Sequence, residues 1–156
     1  MRVLQFLRRY YAHACRHGFG SVACDYTGVV SFAIGTSDPA FTRSFYRRNW
    51  WLAPLVVLSA FKPVVCKAIA GRLFGTRESI PPQPVTRLLG MATAPERRGS
   101  NVSADVLARF EQLANARQVG CSTKPWNRRA ITFFTRHGWT ISYKNNRGVW
   151  FEKALS

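Results

Sequence analysis

A segment rich in arginine and glycine joins a predicted strand to a predicted helix, and its residue types suit the binding of a phosphate group. The strand is predicted over 85–93, the loop over 94–101 and the helix over 102–119. The first N–H groups of a helix have no partner inside the helix, and the helix dipole is positive there, so an anion is favoured. Within the loop, Gly99 lets the backbone come close to a ligand and Arg98 adds a planar charged fork.

The helix after this loop is predicted from apolar residues that recur along one face. They lie at the three- and four-residue intervals of an amphipathic helix: Val102, Val106, Phe110, Leu113 and Ala114. A short strand near 121–123 follows Gly120. Strand, helix and strand in this order predict a parallel pair joined by a right-handed crossover.

Two motifs resemble those of the GNAT acetyltransferase superfamily. Residues 94–99 read Ala-Pro-Glu-Arg-Arg-Gly, similar to the family's acetyl-CoA loop A-P-E-x-R-G-x-G-x-G, and residues 127–139 are similar to its N-x-R-A-x-x-F-Y-x-x-x-G-F. The motifs stand in the family's order, and the resemblance covers about residues 18–40 and 85–155. It implies an α/β (α+β) fold with a mixed, mostly antiparallel sheet flanked by helices and a central parallel β-α-β unit.

The resemblance also implies an enzyme, an N-acetyltransferase that transfers an acetyl group from acetyl-CoA, its co-substrate, to an amine acceptor by direct attack. The loop would hold the pyrophosphate, and the end of the strand would offer backbone partners to the pantetheine amides. Asn127 could hydrogen-bond the arm, cap its helix, or do both. The predicted cofactor-binding residues are Met91, Ala92, Thr93, Arg98, Gly99, Ser100, Asn101, Val102, Ser103, Asn127, Ala130, Phe133 and Phe134.

The catalytic residues are not settled by the sequence. In the family a tyrosine on the last helix often protonates the departing thiolate, and the matching residue here is Phe134, which cannot donate a proton. Of the 7 acidic residues, none is an obvious general base. Glu78 is a weak candidate for the base, and Tyr143 for the missing proton donor.

Two other functions remain as alternatives. One is a CoA-binding protein of the same fold with weak or no activity, supported by Phe134 and by Asn101 and Ser103 at positions where the family usually has small residues. The other is a basic nucleic-acid-binding module, supported by 23 Lys+Arg against 7 Asp+Glu, a formal charge of +16. Residues 42–74 mix arginine with aromatic residues, but such stripes more often pack in a core, so nucleic acid is the less favoured partner.

The 156 residues are predicted to form a single domain, 1–156, with a helical and loop insertion at 42–84. Further elements are a helix at 3–17, hairpin strands at 21–24 and 29–34, a last helix at 128–137, and hairpin strands at 139–143 and 149–152. The family's first strand and one of its early helices find no match before the first hairpin. Either the chain is naturally short, or the recorded start is internal to a longer gene product. The strand at 21–24 would then have an open edge, which predicts a homodimer.

The cysteines and the apolar runs bear on two further classes, metal-binding proteins and membrane proteins. No pair of cysteines has Cys-x-x-Cys spacing, so we expect reduced, mostly buried thiols and no metal site. The most apolar run, 50–61, contains Pro54 and is shorter than the about 20 residues that a membrane span needs. A cytoplasmic protein without a membrane span is expected. The four cysteines are Cys15, Cys24, Cys66 and Cys121.

Overall fold

A six-stranded mixed sheet organises the computed structural model, which describes residues 2–49 and 84–155. Its strands lie in the order β1-β2-β3-β4-β6-β5. β3 and β4 run parallel and every other neighbouring pair is antiparallel, which confirms the predicted mixed, mostly antiparallel sheet. The strands are β1 (Phe19–Asp25), β2 (Gly28–Thr36), β3 (Arg87–Thr93), β4 (Gln118–Thr123), β5 (Thr140–Lys144) and β6 (Val149–Ala154).

The chain divides into two compact units, Met1–Pro39 with Pro82–Ser156, and Ala40–Pro81. The helices of the first unit are α1 (Arg2–His17), a 3₁₀-helix (Pro95–Arg97), α3 (Val102–Leu113) and α4 (Arg128–Arg136). In the second unit, α2 (Phe41–Arg48) agrees with the helical prediction for that part of the chain. The rest of the predicted insertion, with Cys66 and Glu78, lies outside the described residues.

The core of the first unit lies between the sheet and α3. Phe110 on α3 is fully buried, and its ring stacks on that of Phe19 with centroids 5.0 Å apart. The Ser21 hydroxyl of β1 donates a hydrogen bond of 2.6 Å to the Val106 carbonyl of α3. Full burial of a large apolar side chain stabilises by about 1.5–3 kcal/mol. This packing fixes α3, and therefore the loop in front of it, against the sheet.

The prediction for α3 was wrong at its C-terminal end. The helix ends at Leu113, and the chain enters β4 at Gln118, so Val119 is a buried strand residue. Asn115 has φ of 40°, a left-handed conformation that asparagine tolerates and that commonly ends helices. The buried stripe also differs from the predicted one, because Leu107 is buried and Leu113 is 40% exposed.

The other predicted elements are present with shifted ends. The first helix and the last one agree to within one residue. Three of the four hairpin strands, β1, β2 and β6, run longer than predicted because backbone pairing continues past their apolar residues, as in β2, which extends to Thr36. The predicted strand over 139–143 begins instead at Thr140, since Trp139 is buried in the core before the strand starts.

The cysteine prediction was wrong for two of the three cysteines that the structure describes. Cys121 is buried, and burial raises the pKa of its thiol. Cys15 on α1 and Cys24 on β1 are exposed. All three thiols are free.

Metal clusters and membrane-spanning helices are both absent from the described ranges. Within 2–49 and 84–155, no three His, Cys, Asp or Glu side chains are grouped closely enough to hold a metal ion. No helix in that part of the chain is both long enough and apolar enough to cross a membrane.

Candidate functional site

The parallel strands β3 and β4 diverge, which leaves one edge of β3 open. They pair at Arg87 and Gly120, where the Gly120 N–H donates to the Thr86 carbonyl at 3.0 Å. On its other side β3 pairs with β2 along its whole length, up to Ser31 and Thr93. Among the described strands, none pairs with the β4-facing edge of β3 beyond Arg87. The backbone at 88–93 therefore presents an unpaired strand edge to the space between β3 and β4.

The loop after β3 turns sharply into α3. The Ser100 hydroxyl donates to the Arg97 carbonyl at 2.6 Å, and the Ser100 N–H donates to the same oxygen at 3.3 Å. Gly99 has φ of 85°, a left-handed conformation in which other residues are strained. A Cβ built on Gly99 would have no atom within 4 Å, so the space in front of the loop is open.

A chain of hydroxyl groups joins the end of β3 to the first turn of α3. The Thr93 hydroxyl lies 2.9 Å from the Ser31 hydroxyl and 2.7 Å from that of Ser103. The Ser31 hydroxyl is also within 3.1 Å of the Ala92 carbonyl, to which it donates. These contacts set the N-terminus of α3 at a defined position beside the open edge of β3.

The turn between β1 and β2 holds the same loop from its other side. Arg97 forms an ion pair with Asp25. Asp25 also accepts hydrogen bonds from the side chain and the backbone N–H of Thr27, at 2.5 and 2.7 Å. Hydrogen bonds from Thr27, and then the Arg97 guanidinium, lower the pKa of Asp25 from its ordinary value of 3.8.

Two adjoining clefts open beside the loop. We call the one of about 830 Å³, between the end of β3, the loop and α4, the strand cleft. We call the one of about 500 Å³, between the first turn of α3 and one face of α4, the arginine cleft. The strand cleft is lined by Met91, Ala92, Thr93, Arg98, Gly99, Ser103, Arg129, Ala130, Phe133 and Phe134. The arginine cleft is lined by Gly99, Ser100, Asn101, Ser103, Ala104, Arg128, Arg129, Thr132, Phe133, Arg136 and His137.

Both clefts are electropositive. Four arginines line them, and no described carboxylate does. The partial positive charge at the N-terminus of α3 adds to this field. The arrangement suits an elongated anion whose uncharged part runs along β3. The four arginines are Arg98, Arg128, Arg129 and Arg136.

Comparison with known proteins gives similarity at the level of structure. No protein-family model matches the sequence, and no curated protein sequence matches it. A GNAT-family protein from Desulfovibrio desulfuricans superposes with a TM-score of 0.54 at 14% identity, covering 97% of this chain and 78% of that one. Naa20 from Chaetomium thermophilum, solved in complex with a bisubstrate analogue, gives 0.54 at 18% identity, covering 97% and 73%. The ribosomal-protein-S18-alanine N-acetyltransferase from Escherichia coli gives 0.52 at 9% identity, covering 95% and 74%.

The chain has the GNAT fold. The predicted central β-α-β unit is formed by β3, α3 and β4, and the loop with the GNAT-like motif lies inside it. This chain spans about three quarters of the length of the three structures. At these identities the likeness is one of fold, and the site has to be argued from this chain's own residues.

Most of the residues predicted to bind the cofactor line the two clefts of this GNAT fold. Of the thirteen, Ser100 and Asn101 line only the arginine cleft, and Val102 and Asn127 line neither. Asn127 caps α4, because its side-chain oxygen accepts from the Ala130 N–H at 3.2 Å while its amide donates to the Thr123 hydroxyl at 3.2 Å. The structure therefore shows the capping role that the sequence had left open beside ligand contact.

Sequence reasoning missed the arginine face of α4. Arg129, Thr132, Phe133 and Arg136 recur at the spacing of one helical face, and Arg128 lies next to it. This spacing was the available signal. The repeat falls within the second GNAT-like motif, residues 127–139.

The three residues considered for catalysis lie in different places. Phe134 lines the strand cleft but is 6% exposed, with its ring 5.3 Å from that of Trp139 and 5.5 Å from that of Phe151. Tyr143 lies on the edge strand β5 against Trp150 and lines neither cleft. Glu78 lies outside the described residues.

Proposed function

We propose that this chain is an N-acetyltransferase that uses acetyl-CoA as co-substrate and acetylates an amine acceptor by direct attack. The observation that carries the proposal is the open edge of β3, which ends at a left-handed glycine loop and at the N-terminus of α3. Its GNAT fold supports acetyl transfer as the class of reaction.

The residues present fit acetyl-CoA in two ways. The pantetheine arm carries two amides, and the backbone of β3 over 91–93 can hydrogen-bond them as a neighbouring strand would. The pyrophosphate is a dianion, and it suits the free N–H groups at the start of α3 together with the guanidinium of Arg98. Gly99 leaves room for the phosphate because nothing lies within 4 Å of the place where a side chain would begin.

The chemistry needs little from the protein beyond positioning. Bound acetyl-CoA supplies an acetyl group activated as a thioester. The acceptor amine has to lose a proton before it can attack, and with no described carboxylate on either cleft the proton passes to water. The rate of acetyl transfer therefore rises with pH towards the pKa of the acceptor amine, about 10.4 for a lysine-like amine. A thiolate whose thiol has a pKa of about 8.5 leaves without a proton donor, so Phe134 in place of a tyrosine lowers the rate of acetyl transfer without preventing the reaction.

A second function, a CoA-binding protein with weak or no activity, is favoured by one observation. Phe134 occupies the position where many relatives carry a tyrosine, and its ring is held in the core. The neighbouring ring in the strand cleft is also a phenylalanine, Phe133, and cannot donate a proton either.

An acetyl-transfer assay tests the proposal. The protein is incubated with acetyl-CoA and a panel of amines comprising small amines, amino sugars and peptides with free N-termini or lysines. We expect thiol release matched by an acceptor that gains one acetyl group, and loss of both in Gly99→Asp. Acetylation of no acceptor by a chain that still binds CoA would favour the second function. Absence of CoA binding would overturn both.

A further inference from the structure

The arginine cleft carries three arginines, Arg128, Arg129 and Arg136, in addition to Arg98 and the start of α3, which the proposed function assigns to the pyrophosphate. We infer that the arginine cleft binds the 3′-phosphate of CoA, so that the protein distinguishes CoA from dephospho-CoA. This inference rests on the proposed function, since it assigns a further part of the same ligand.

The first support is the arrangement of charge on α4. Arg129 and Arg136 lie on one face of the helix, seven residues apart, and Arg128 lies beside them. The helix turns its opposite side, with Phe134, to the core. The arginine side chains are exposed, so they can reorient onto a ligand without unpacking the fold.

The second support is the opposite wall. It is formed by Ser100, Asn101, Ser103 and Ala104, around the start of α3, where the helix dipole is positive. Three guanidinium groups, one imidazole and a helix N-terminus surround the cleft, and none of its lining residues is acidic. A phosphate monoester carries about −1.5 to −2 charge at neutral pH and offers three oxygens. It matches this charge better than the singly charged phosphates of a chain backbone do.

The third support is the shape of the two clefts together. They share Gly99, Ser103, Arg129 and Phe133, so they lie side by side. The thin pantetheine arm fits the cleft along β3, and the bulkier phosphorylated nucleoside fits the neighbouring volume of about 500 Å³. The rings of Phe133 and His137, with centroids 4.3 Å apart, give this volume an aromatic wall suited to a purine.

Calorimetry with CoA and dephospho-CoA tests the inference, since the two ligands differ only in the 3′-phosphate. The parent should bind CoA about 10- to 100-fold more tightly, the range of one charge-assisted hydrogen bond. In Arg128→Gln/Arg136→Gln, affinity for CoA should fall to that for dephospho-CoA, while affinity for dephospho-CoA stays the same. Arg129 is left in place because it also lines the strand cleft. Arg109→Gln is the matched control, an exposed arginine of α3 that lines neither cleft and should keep the parent's ratio.

The other outcomes are distinguishable. If the parent binds both ligands equally well and Gly99→Asp weakens both, this inference is wrong and the proposed function stands. If neither ligand binds, the proposed function is wrong as well. If a single-stranded oligonucleotide displaces CoA and loses affinity in the same double variant, the arginine cleft is a nucleic-acid surface and the inference is overturned.

Discussion

Phe134 packs in the core and also lines the strand cleft, so adding a hydroxyl to its ring tests whether a proton donor at this position helps the thiolate to leave. Phe134→Tyr should raise turnover with any accepted amine by a factor towards the lower end of the about 10²–10⁴ that positioned acid catalysis gives. Affinity for CoA should change little, because the hydroxyl acts mainly in the transition state. Steady-state kinetics with acetyl-CoA measures both quantities.

Phe134→Tyr can also lower the stability of the fold, and this effect has to be measured separately from its effect on turnover. A hydroxyl placed at a site that is 6% exposed costs about 1–3 kcal/mol if it finds no partner, so its melting temperature is measured alongside. Unchanged or lower turnover in a folded Phe134→Tyr protein would show that protonation of the thiolate does not limit the rate. A loss of turnover in Tyr143→Phe would instead assign the donor to Tyr143, against its position on β5.

At the scale of elements, the turn between β1 and β2 positions the loop that precedes α3. Asp25→Asn removes the ion pair with Arg97, so it should lower both the melting temperature and the affinity for CoA at neutral pH. The pKa of Asp25 is lowered in the folded protein, so its contribution is fully present above 3.8 and is lost as the pH falls through the lower, folded value. The parent and the variant should therefore converge at low pH.

Thermal unfolding of both proteins from neutral pH to well below 3.8 measures this convergence. The control is Asp105→Asn, which changes an exposed acid of α3. Added salt should shrink the effect of Asp25→Asn, because the ion pair lies near the surface. A difference between parent and Asp25→Asn that stays constant over the whole pH range would rule out the carboxylate as its cause.

The elements that carry local signals were predictable from the sequence. The loop is marked by Pro95 and Gly99, and α4 begins at a capping asparagine, Asn127, and ends before Gly138, which has φ of 80°. The end of α3 was not predictable in the same way. Val119 continues the apolar pattern of the helix, and only its place in the sheet, opposite Lys153 of β6, makes it a strand residue.

The loop of the site was predictable from the sequence, whereas the arginine face of α4 was not, although it lies within the second GNAT-like motif. The residues of the loop carry the chemistry in their own types, so their place on a cleft could be expected. The arginines of α4 have no such local meaning, because an arginine on a helix is usually a solvated charge. Their significance depends on the first turn of α3 lying opposite them, and that is a fact of tertiary structure.

At the scale of the whole molecule, a formal charge of +16 predicts affinity for polyanions in general. A ligand that binds only the folded state raises the melting temperature by mass action, so CoA and an oligonucleotide can be compared directly. We expect added salt to reduce the shift with the oligonucleotide more steeply than the shift with CoA, because an oligonucleotide engages more phosphates. A larger and more salt-resistant shift with the oligonucleotide would favour the nucleic-acid function.

Within the described sheet, β1 has a strand neighbour on one side only. Open edges pair with other chains, so the protein should dimerise or aggregate at high concentration. Val22 of β1 is 64% exposed, and Val22→Lys should reduce self-association because a charge on an edge strand opposes pairing. Light scattering over a range of concentrations measures it. A clean monomer of the parent at high concentration would show that the edge of β1 is covered in another way.

Binding of CoA to the loop after β3 is the central claim, and titration calorimetry tests it most directly. Arg98→Ala should weaken binding by about 1.5–3 kcal/mol, the cost of one charge-assisted hydrogen bond. Gly99→Asp should weaken it further, because it sets a carboxylate against phosphate and strains a residue with φ of 85°. Arg117→Ala changes an exposed arginine that lines neither cleft and should bind as the parent does. Unchanged affinity for CoA in both Arg98→Ala and Gly99→Asp would contradict the assignment of the site.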